Sequence, residues 1–206
     1  MNWEKLKQAE ANFLLRYPGG FQDPEMVILG KKHKMDKMVA LAESSFGEDQ
    51  FANSDELSEK MIKILTSSSM VSVFEKPRFR DFVRSMNSHE KDALCANLYE
   101  MLYLDEEKGF NGLLNILSLG KMAKWTVMTV VPAYLRPQKE IFIKPTTTKG
   151  ILKTFEVDHL VYTPRPYYAF YREYRDLINA MKAKVDPGLS PSNAAFSGFL
   201  MMSLEG

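Results

Sequence analysis

Apolar residues recur every three or four positions through most of the first 120 residues, which is the pattern of helices with one buried face. Asp23-Pro24 adds a further helix start, because aspartate caps helices and proline fits their first turn. We therefore expect this part of the chain to be all-helical. The clearest stripes predict six helices, over residues 6–14, 35–46, 57–65, 79–86, 94–102 and 110–117.

The pattern changes at Trp125, where the composition becomes typical of strands. Residues 125–131 are rich in β-branched side chains, and residues 140–144 centre on Ile-Phe-Ile. With a turn at residues 136–138, these segments predict a β-hairpin. A buried helix that ends near Pro132 and precedes a single strand fits the sequence equally well, because short apolar runs have no decisive period.

The remaining segments complete a small α/β element and then return to helix. We expect a short helix over residues 146–155 and a strand over residues 159–162. Thr163-Pro164 is a cap followed by proline and predicts the start of a helix with an aromatic face. The predicted fold class is therefore α+β, predominantly α-helical, with one small β-hairpin or two to three short strands near residues 125–162.

The domain organisation is predicted to be simple, because the chain contains no internal repeat and no low-complexity linker. We expect residues 1–206 to form a single domain, with an all-helical part over residues 1–120. Residues 121–206 would then hold the α/β element and the C-terminal helices. A composition of 45% hydrophobic and 26% charged residues is that of an ordinary globular protein.

Charge is balanced over the whole chain but not along it. The 27 Lys and Arg residues nearly equal the 26 Asp and Glu residues, which excludes whole-molecule attraction to nucleic acid or membrane. Residues 121–175 nevertheless hold ten basic and four acidic residues. A nucleic-acid or phosphate contact would therefore have to be local.

Other features set expectations about compartment and cofactors. Cys95 is the only cysteine, which excludes an intramolecular disulfide and any multi-thiolate metal site, and favours a reducing compartment. No apolar run is long enough to span a bilayer, and residues 1–16 do not resemble a secretory signal. We expect a cytoplasmic protein with no membrane partner.

No nucleotide, hydrolase or metal-binding motif is present, so we expect no cofactor and no metal.

The most suggestive chemistry lies at the predicted start of the helix over residues 146–155. Lys144-Pro145-Thr146-Thr147-Thr148-Lys149 would bring free backbone N–H groups, hydroxyls and two ammonium groups to a positive helix end. Lys144, Thr146, Thr148 and Lys149 are therefore the candidate anion ligands, with Arg136 and Arg165 in support. The alternative is an ordinary capped helix with solvated lysines.

A second candidate is the segment from Arg165 to Arg175, where arginines alternate with tyrosines and phenylalanine. Aromatic and guanidinium planes stack on exposed bases, so the segment fits nucleic-acid binding. At helical spacing, however, an aromatic stripe is more often packed in a core. The core interpretation is favoured here.

Several of these residues also carry a family resemblance. Trp125, Pro132, Arg136-Pro137 and the string Phe142-x-Lys144-Pro145-Thr146-x-Thr148-Lys149 together resemble an uncharacterised family of bacterial proteins of similar size. The resemblance extends over about half of the chain and implies a bacterial source. No activity is known for that family, so the resemblance implies no catalytic role for any residue.

Three functional hypotheses follow from the sequence. The leading one is a non-catalytic binding module for an anionic partner, either nucleic acid or a phosphate-bearing ligand. The second is an enzyme whose site lies between the helical body and the β element, with His159 and either Asp158 or Glu156 as acid and base. The third is a protein-interaction module, which requires that many of the 13 methionines and the aromatic side chains be exposed.

Overall fold

The structure is a computed structural model that describes residues 1–203. Over that range the chain forms α-helices joined by loops and four short 3-10 turns, and it contains no β-strand. The helices are α1 (Trp3–Arg16), α2 (Pro24–Gly30), α3 (Met35–Phe46), α4 (Ser54–Ser67), α5 (Glu75–Ser85), α6 (Ser88–Tyr103), α7 (Glu106–Leu119), α8 (Trp125–Leu135), α9 (Pro145–Thr154), α10 (Tyr168–Lys182) and α11 (Asn193–Met202).

The first half of the chain folds as its apolar periodicity predicts. All six expected helices are present, and α2 begins after Asp23 as the cap-and-proline signal indicates. α6 and α7 form the most extensive helix pair. They approach closely because Gly109 of α7 lies against the backbone of α6, where an added Cβ would be 2.0 Å from the Met101 nitrogen.

The predicted β element is wrong, and the fold is all-α rather than α+β. Residues 125–135 form α8, which continues past Pro132, and ten of its eleven residues are buried. A helix that is enclosed on every side carries apolar side chains all round and shows no amphipathic stripe. Its β-branched composition is overridden by packing, which contributes more free energy than intrinsic propensity does.

The Ile-Phe-Ile segment forms neither a helix nor a strand. The Ile143 backbone N–H donates to the Thr129 hydroxyl of α8 at 3.0 Å, and the Glu140 carbonyl accepts from the Asn193 side chain of α11 at 3.1 Å. Side chains on helices thus satisfy backbone groups that a partner strand would otherwise bind. Residues 159–162 are likewise not a strand, and there the Tyr167 hydroxyl donates to the Val161 carbonyl at 2.6 Å.

The second half of the chain packs onto the same core as the first. One continuous cluster of buried apolar side chains extends from Leu6 in α1 to Leu200 in α11. α9 lies where the sequence predicts it, whereas α10 begins at Tyr168, five residues after Thr163. No helix within residues 1–203 has both the length and the apolar character needed to cross a bilayer.

Candidate functional site

The start of α9 holds part of the predicted anion chemistry. Lys144 is the N-cap residue and makes no side-chain capping hydrogen bond. The backbone N–H groups of Thr146 and Thr147 are the ones left free by the helix geometry, because Pro145 has none and Thr148 donates to the Lys144 carbonyl. Lys144 and Thr146 are exposed. The helix start therefore offers two backbone donors and one ammonium group.

Two of the predicted ligands have structural roles instead. Thr148 is 1% exposed and lies near the buried Tyr174. Arg136 donates to the Leu102 carbonyl and lies 5.3 Å over the Tyr103 ring. It thus attaches the end of α8 to α6 and does not extend the helix start.

Arg165 is exposed in the loop that precedes α10. Its carbonyl accepts a hydrogen bond from the Thr163 hydroxyl at 2.7 Å, which orders the loop. Its guanidinium forms no ion pair with any residue in the described part of the chain. The structure shows no hydrogen bond between Arg165 and the start of α9.

Lys144 has basic neighbours that the sequence did not suggest. His33 Nδ1 lies 2.8 Å from the Ser69 hydroxyl. Partial burial, followed by the charges of Lys32 and Lys144, lowers the pKa of His33. Lys144 is therefore close to His33, which lies in the basic turn formed by Lys31, Lys32, His33 and Lys34.

Lys149 lies on another side of α9. Five positions along a helix correspond to about 140° of rotation, so Lys144 and Lys149 diverge. Lys149 and Lys153 are four positions apart and share one face. The predicted site is thus divided in two, with Lys144 near the basic turn and Lys149 beside a groove.

This shallow and widely open surface groove, which we call the α9 groove, has a volume of about 380 Å³. The end of α9 shapes it. The backbone N–H of Val157 donates to the Leu152 carbonyl at 2.9 Å and that of Glu156, which has a φ of 54°, donates to the Lys153 carbonyl at 3.3 Å. These two hydrogen bonds end α9 and reverse the direction of the chain. The groove is lined by Lys149, Leu152, Lys153, Val157, Asp158, Leu160, Val161 and Tyr162.

The α9 groove combines an apolar floor with cations and one aromatic wall. Leu152, Val157 and Leu160 are buried beneath it. The Lys149 ammonium lies 5.9 Å from the centre of the Tyr162 ring. In the described part of the chain, neither Lys149 nor Lys153 forms an ion pair, and Asp158 is the carboxylate that lines the groove.

The Tyr162 wall is supported from behind by aromatic packing. Its ring centre lies 6.4 Å from that of Trp125 and 5.9 Å from that of Phe170. The Trp125 indole N–H in turn donates to the Thr163 carbonyl at 2.7 Å, next to Tyr162 in the chain. The wall is therefore held in place before any ligand arrives.

The segment from Arg165 to Arg175 confirms the core interpretation. Phe170, Tyr171 and Tyr174 are buried, and Arg175 is 7% exposed. No exposed stacking surface is formed by this aromatic stripe. The segment contributes instead to a buried ion cluster, which consists of Glu106, Glu140, Tyr168, Tyr171 and Arg175.

Arg175 is the centre of the buried ion cluster. Its guanidinium donates to Glu140 at 2.8 Å and makes two hydrogen bonds to Glu106. The hydroxyls of Tyr171 and Tyr168 donate to Glu140 at 2.6 Å and to Glu106 at 2.8 Å. Burial opposes the charge of Arg175, but these carboxylates raise its pKa. Arg175 therefore stays charged inside the fold.

The residues suggested for acid–base catalysis are not brought together. His159 and Asp158 are exposed. The Glu156 carboxylate bonds the Lys5 ammonium at 2.7 Å and the Asn2 side chain at 3.0 Å. Burial raises the pKa of the Cys95 thiol to about 12, which disfavours the nucleophilic thiolate. Within residues 1–203, no three potential metal ligands lie close enough to hold an ion.

Most methionine and aromatic side chains are buried or half-buried, which does not favour a methionine-rich interaction surface. Comparison with known proteins gives no match among protein-family models, curated proteins or solved structures. The resemblance to an uncharacterised bacterial family therefore stays a prediction. Part of its Phe-x-Lys-Pro-Thr-x-Thr-Lys string is used by the fold, since Thr148 is buried in the core.

Proposed function

We propose that this protein is a non-catalytic binding protein for a phosphate-bearing ligand, which occupies the α9 groove. One observation carries the proposal. The groove places two lysines without carboxylate partners, Lys149 and Lys153, above an apolar floor and beside the ring of Tyr162.

The arrangement suits a ligand with both a charged and a flat or apolar part. Side chains four positions apart on a helix have Cβ atoms about 6 Å apart, so two ammonium groups can bind neighbouring phosphates. The Tyr162 ring offers a face for a planar group, and the floor contacts apolar atoms. A nucleotide has all of these parts.

The charge distribution favours a small ligand over a long nucleic acid. The net charge is only +1, and Asp158 offsets one of the two groove lysines. A long polyanion needs many phosphate contacts, and its affinity then falls steeply with salt. The affinity of a ligand held by two ammonium groups depends on salt much less.

We also propose a cytoplasmic location, since the lone cysteine Cys95 is buried as a free thiol.

Calorimetric titration with ATP and with pyrophosphate tests the proposal. ATP should bind more tightly than pyrophosphate, because only ATP reaches Tyr162 and the apolar floor. Lys149→Gln and Lys153→Gln should each weaken ATP binding about tenfold, the effect of losing one charge-assisted contact.

Two matched variants locate the site. Lys63→Gln removes an exposed lysine of α4 that forms no ion pair with a described residue, and should leave the affinity unchanged. Lys144→Gln tests the helix start and should change the affinity less than twofold. If Lys144→Gln weakens ATP binding more than Lys149→Gln does, the start of α9 is the site. Absence of ATP and pyrophosphate binding at low salt rejects phosphate recognition by this groove.

A short single-stranded RNA provides the remaining comparison. We expect it to bind no more tightly than ATP, with a shallow dependence on salt. Tight RNA binding with a steep salt dependence would identify a nucleic-acid partner instead of a small ligand.

A further inference from the structure

A second surface stands apart from the α9 groove, at the end of α2 and the turn that follows. Met26 is the buried residue of this helix. Val27, Ile28 and Leu29 follow it and are 43%, 64% and 47% exposed. Exposure of three consecutive aliphatic side chains to water is energetically unfavourable, and such a patch indicates a binding surface. We call residues 27–34 the α2 tip.

The order of the aliphatic residues indicates what covers them. Successive residues on a helix point about 100° apart, so Val27, Ile28 and Leu29 span about 200° of its circumference. A protein groove receives residues spaced three or four apart, on one face of a helix. A lipid bilayer is fluid, so its apolar region can surround the end of a helix and contact all three side chains at once. The arrangement therefore favours the interfacial region of a lipid bilayer over a protein groove.

The charges next to the tip add a second, independent indication. Lys31, Lys32 and Lys34 follow directly, and none forms an ion pair with a carboxylate in the part of the chain that the structure describes. Lys34 has a φ of 48°, which turns the chain sharply and keeps the lysines close to the tip. Lys144 adds its charge from the start of α9. Exposed aliphatic side chains bordered by ammonium groups match an anionic lipid surface.

We propose that the α2 tip binds the surface of anionic membranes. Val27, Ile28 and Leu29 would enter the interface between headgroups and acyl chains, while Lys31, Lys32 and Lys34 contact lipid phosphates and carboxylates. The sequence predicts no membrane partner, because it has no spanning segment and a net charge of only +1. Surface binding requires neither a spanning helix nor a high net charge.

Vesicle flotation tests this proposal. We would use phosphatidylcholine vesicles with about 30% phosphatidylserine, and vesicles of phosphatidylcholine alone as the neutral comparison. Binding should occur to the anionic vesicles, fall at high salt and be at least tenfold weaker on the neutral ones. Each lysine near an anionic surface contributes about fivefold in affinity, so the triple Lys31→Gln, Lys32→Gln, Lys34→Gln variant should lose binding almost completely.

The aliphatic residues are tested with matched variants. The triple Val27→Ser, Ile28→Ser, Leu29→Ser variant should bind at least tenfold more weakly, whereas Leu15→Ser, which changes an exposed leucine of α1, should bind as the wild type does. Because these positions are exposed, each variant should keep the wild-type unfolding midpoint. Lack of vesicle binding at low salt, or equal binding by all variants, overturns the proposal.

A protein partner predicts a different result. If the α2 tip instead contacts a second copy of the chain, light scattering will show a dimer that the aliphatic triple variant disrupts, and vesicles will not bind. That outcome also overturns the proposal. ATP titration of the α9 groove is unaffected in either case, so the two proposals fail separately.

Discussion

Two charged regions of this protein, the buried ion cluster and the α9 groove, differ in how their charges are satisfied. In the buried ion cluster, Arg175 is 7% exposed and bonds Glu140, which is 2% exposed, together with Glu106. In the α9 groove, Lys149 and Lys153 are exposed and no described carboxylate pairs with them. One region therefore uses charge to fix the fold, and the other leaves it available to a ligand.

The difference follows from desolvation. A buried charge without a partner is very costly, so every buried cation must find its anions within the protein. An exposed ammonium group is solvated by water and needs no partner for stability. A substitution in the cluster should therefore destabilise the fold, whereas one in the groove should alter only binding.

The largest effect should come from Arg175→Met. This change removes the cation that hydrogen-bonds both Glu140 and Glu106. Glu140 keeps only the Lys139 ammonium, 3.7 Å from its Oε1, and that oxygen accepts no hydrogen bond from the described residues. Removal of one partner from a buried ion pair costs about 3–5 kcal/mol. Urea denaturation should show a loss of this size in the free energy of unfolding.

The control for Arg175→Met is Arg172→Met, three residues earlier in α10. The Arg172 guanidinium lies 3.8 Å from Glu173 and is half-exposed, so its loss should change the free energy of unfolding by less than about 1 kcal/mol. Equal losses in the two variants would contradict the role assigned to burial.

A smaller effect is expected at Gly109, which brings α7 and its first residue Glu106 close to α6. In Gly109→Ala the new Cβ would collide with the backbone of Met101, which cannot move as a side chain does. Overpacking of this kind costs about 1–3 kcal/mol. Gly30→Ala is the control, because no atom lies within 4 Å of its added Cβ. If Gly109→Ala is as stable as Gly30→Ala, α6 and α7 can move apart to accept the added Cβ without loss of stability, which contradicts this prediction.

The pH dependence of stability separates the cluster from surface carboxylates. Burial opposes ionisation of Glu106, but its hydrogen bonds to Arg175 and Tyr168 lower its pKa below the usual 4.5. A lowered pKa in the folded state contributes stability that is present above pH 4.5 and is lost as the pH falls below it. Glu106→Gln should therefore lose less stability than the wild type on acidification from pH 5 to about pH 3.

Glu107→Gln is the control for that measurement, because Glu107 is the next residue and is exposed. It should retain the wild-type slope of unfolding free energy against pH. Identical slopes for the wild type and Glu106→Gln would mean that the cluster does not contribute to acid denaturation.

The smallest effect on stability should come from the α9 groove. Surface substitutions away from caps and buried networks change the free energy of unfolding by less than about 0.5 kcal/mol. The double Lys149→Gln, Lys153→Gln variant should stay within that range. A loss comparable with that of Arg175→Met would show that the groove lysines serve the fold.

The helices of the first half could be predicted because they have one apolar face, and the cap at Asp23 marks the start of α2. For residues 125–131 the sequence left a buried helix and a hairpin strand open, and the structure confirms the helix. The pattern could not decide between them, because a helix buried on all sides loses its period, as Trp125 to Tyr134 show. Residues 140–144 were wrongly predicted to be a strand. Their backbone groups bind the side chains of Thr129 and Asn193, one of which is distant in sequence and both of which lie on helices.

The candidate site was predictable only in part, for a similar reason. Lys149 could be identified from the Lys-Pro-Thr-Thr-Thr-Lys string at a predicted helix start, but its groove depends on the chain reversal at Glu156 and on Tyr162. Thr148 was misassigned because one helix position decides whether a threonine faces solvent or core. The partners of Arg175 lie 35 and 69 residues away, so no local pattern shows them.

One experiment tests the central claim most directly, namely ATP titration combined with urea denaturation on the wild type and the double Lys149→Gln, Lys153→Gln variant. We expect the variant to keep the wild-type free energy of unfolding within about 0.5 kcal/mol and to bind ATP at least tenfold more weakly. A variant that binds ATP as the wild type does, or that loses several kcal/mol of stability, would contradict the proposed role of the groove lysines.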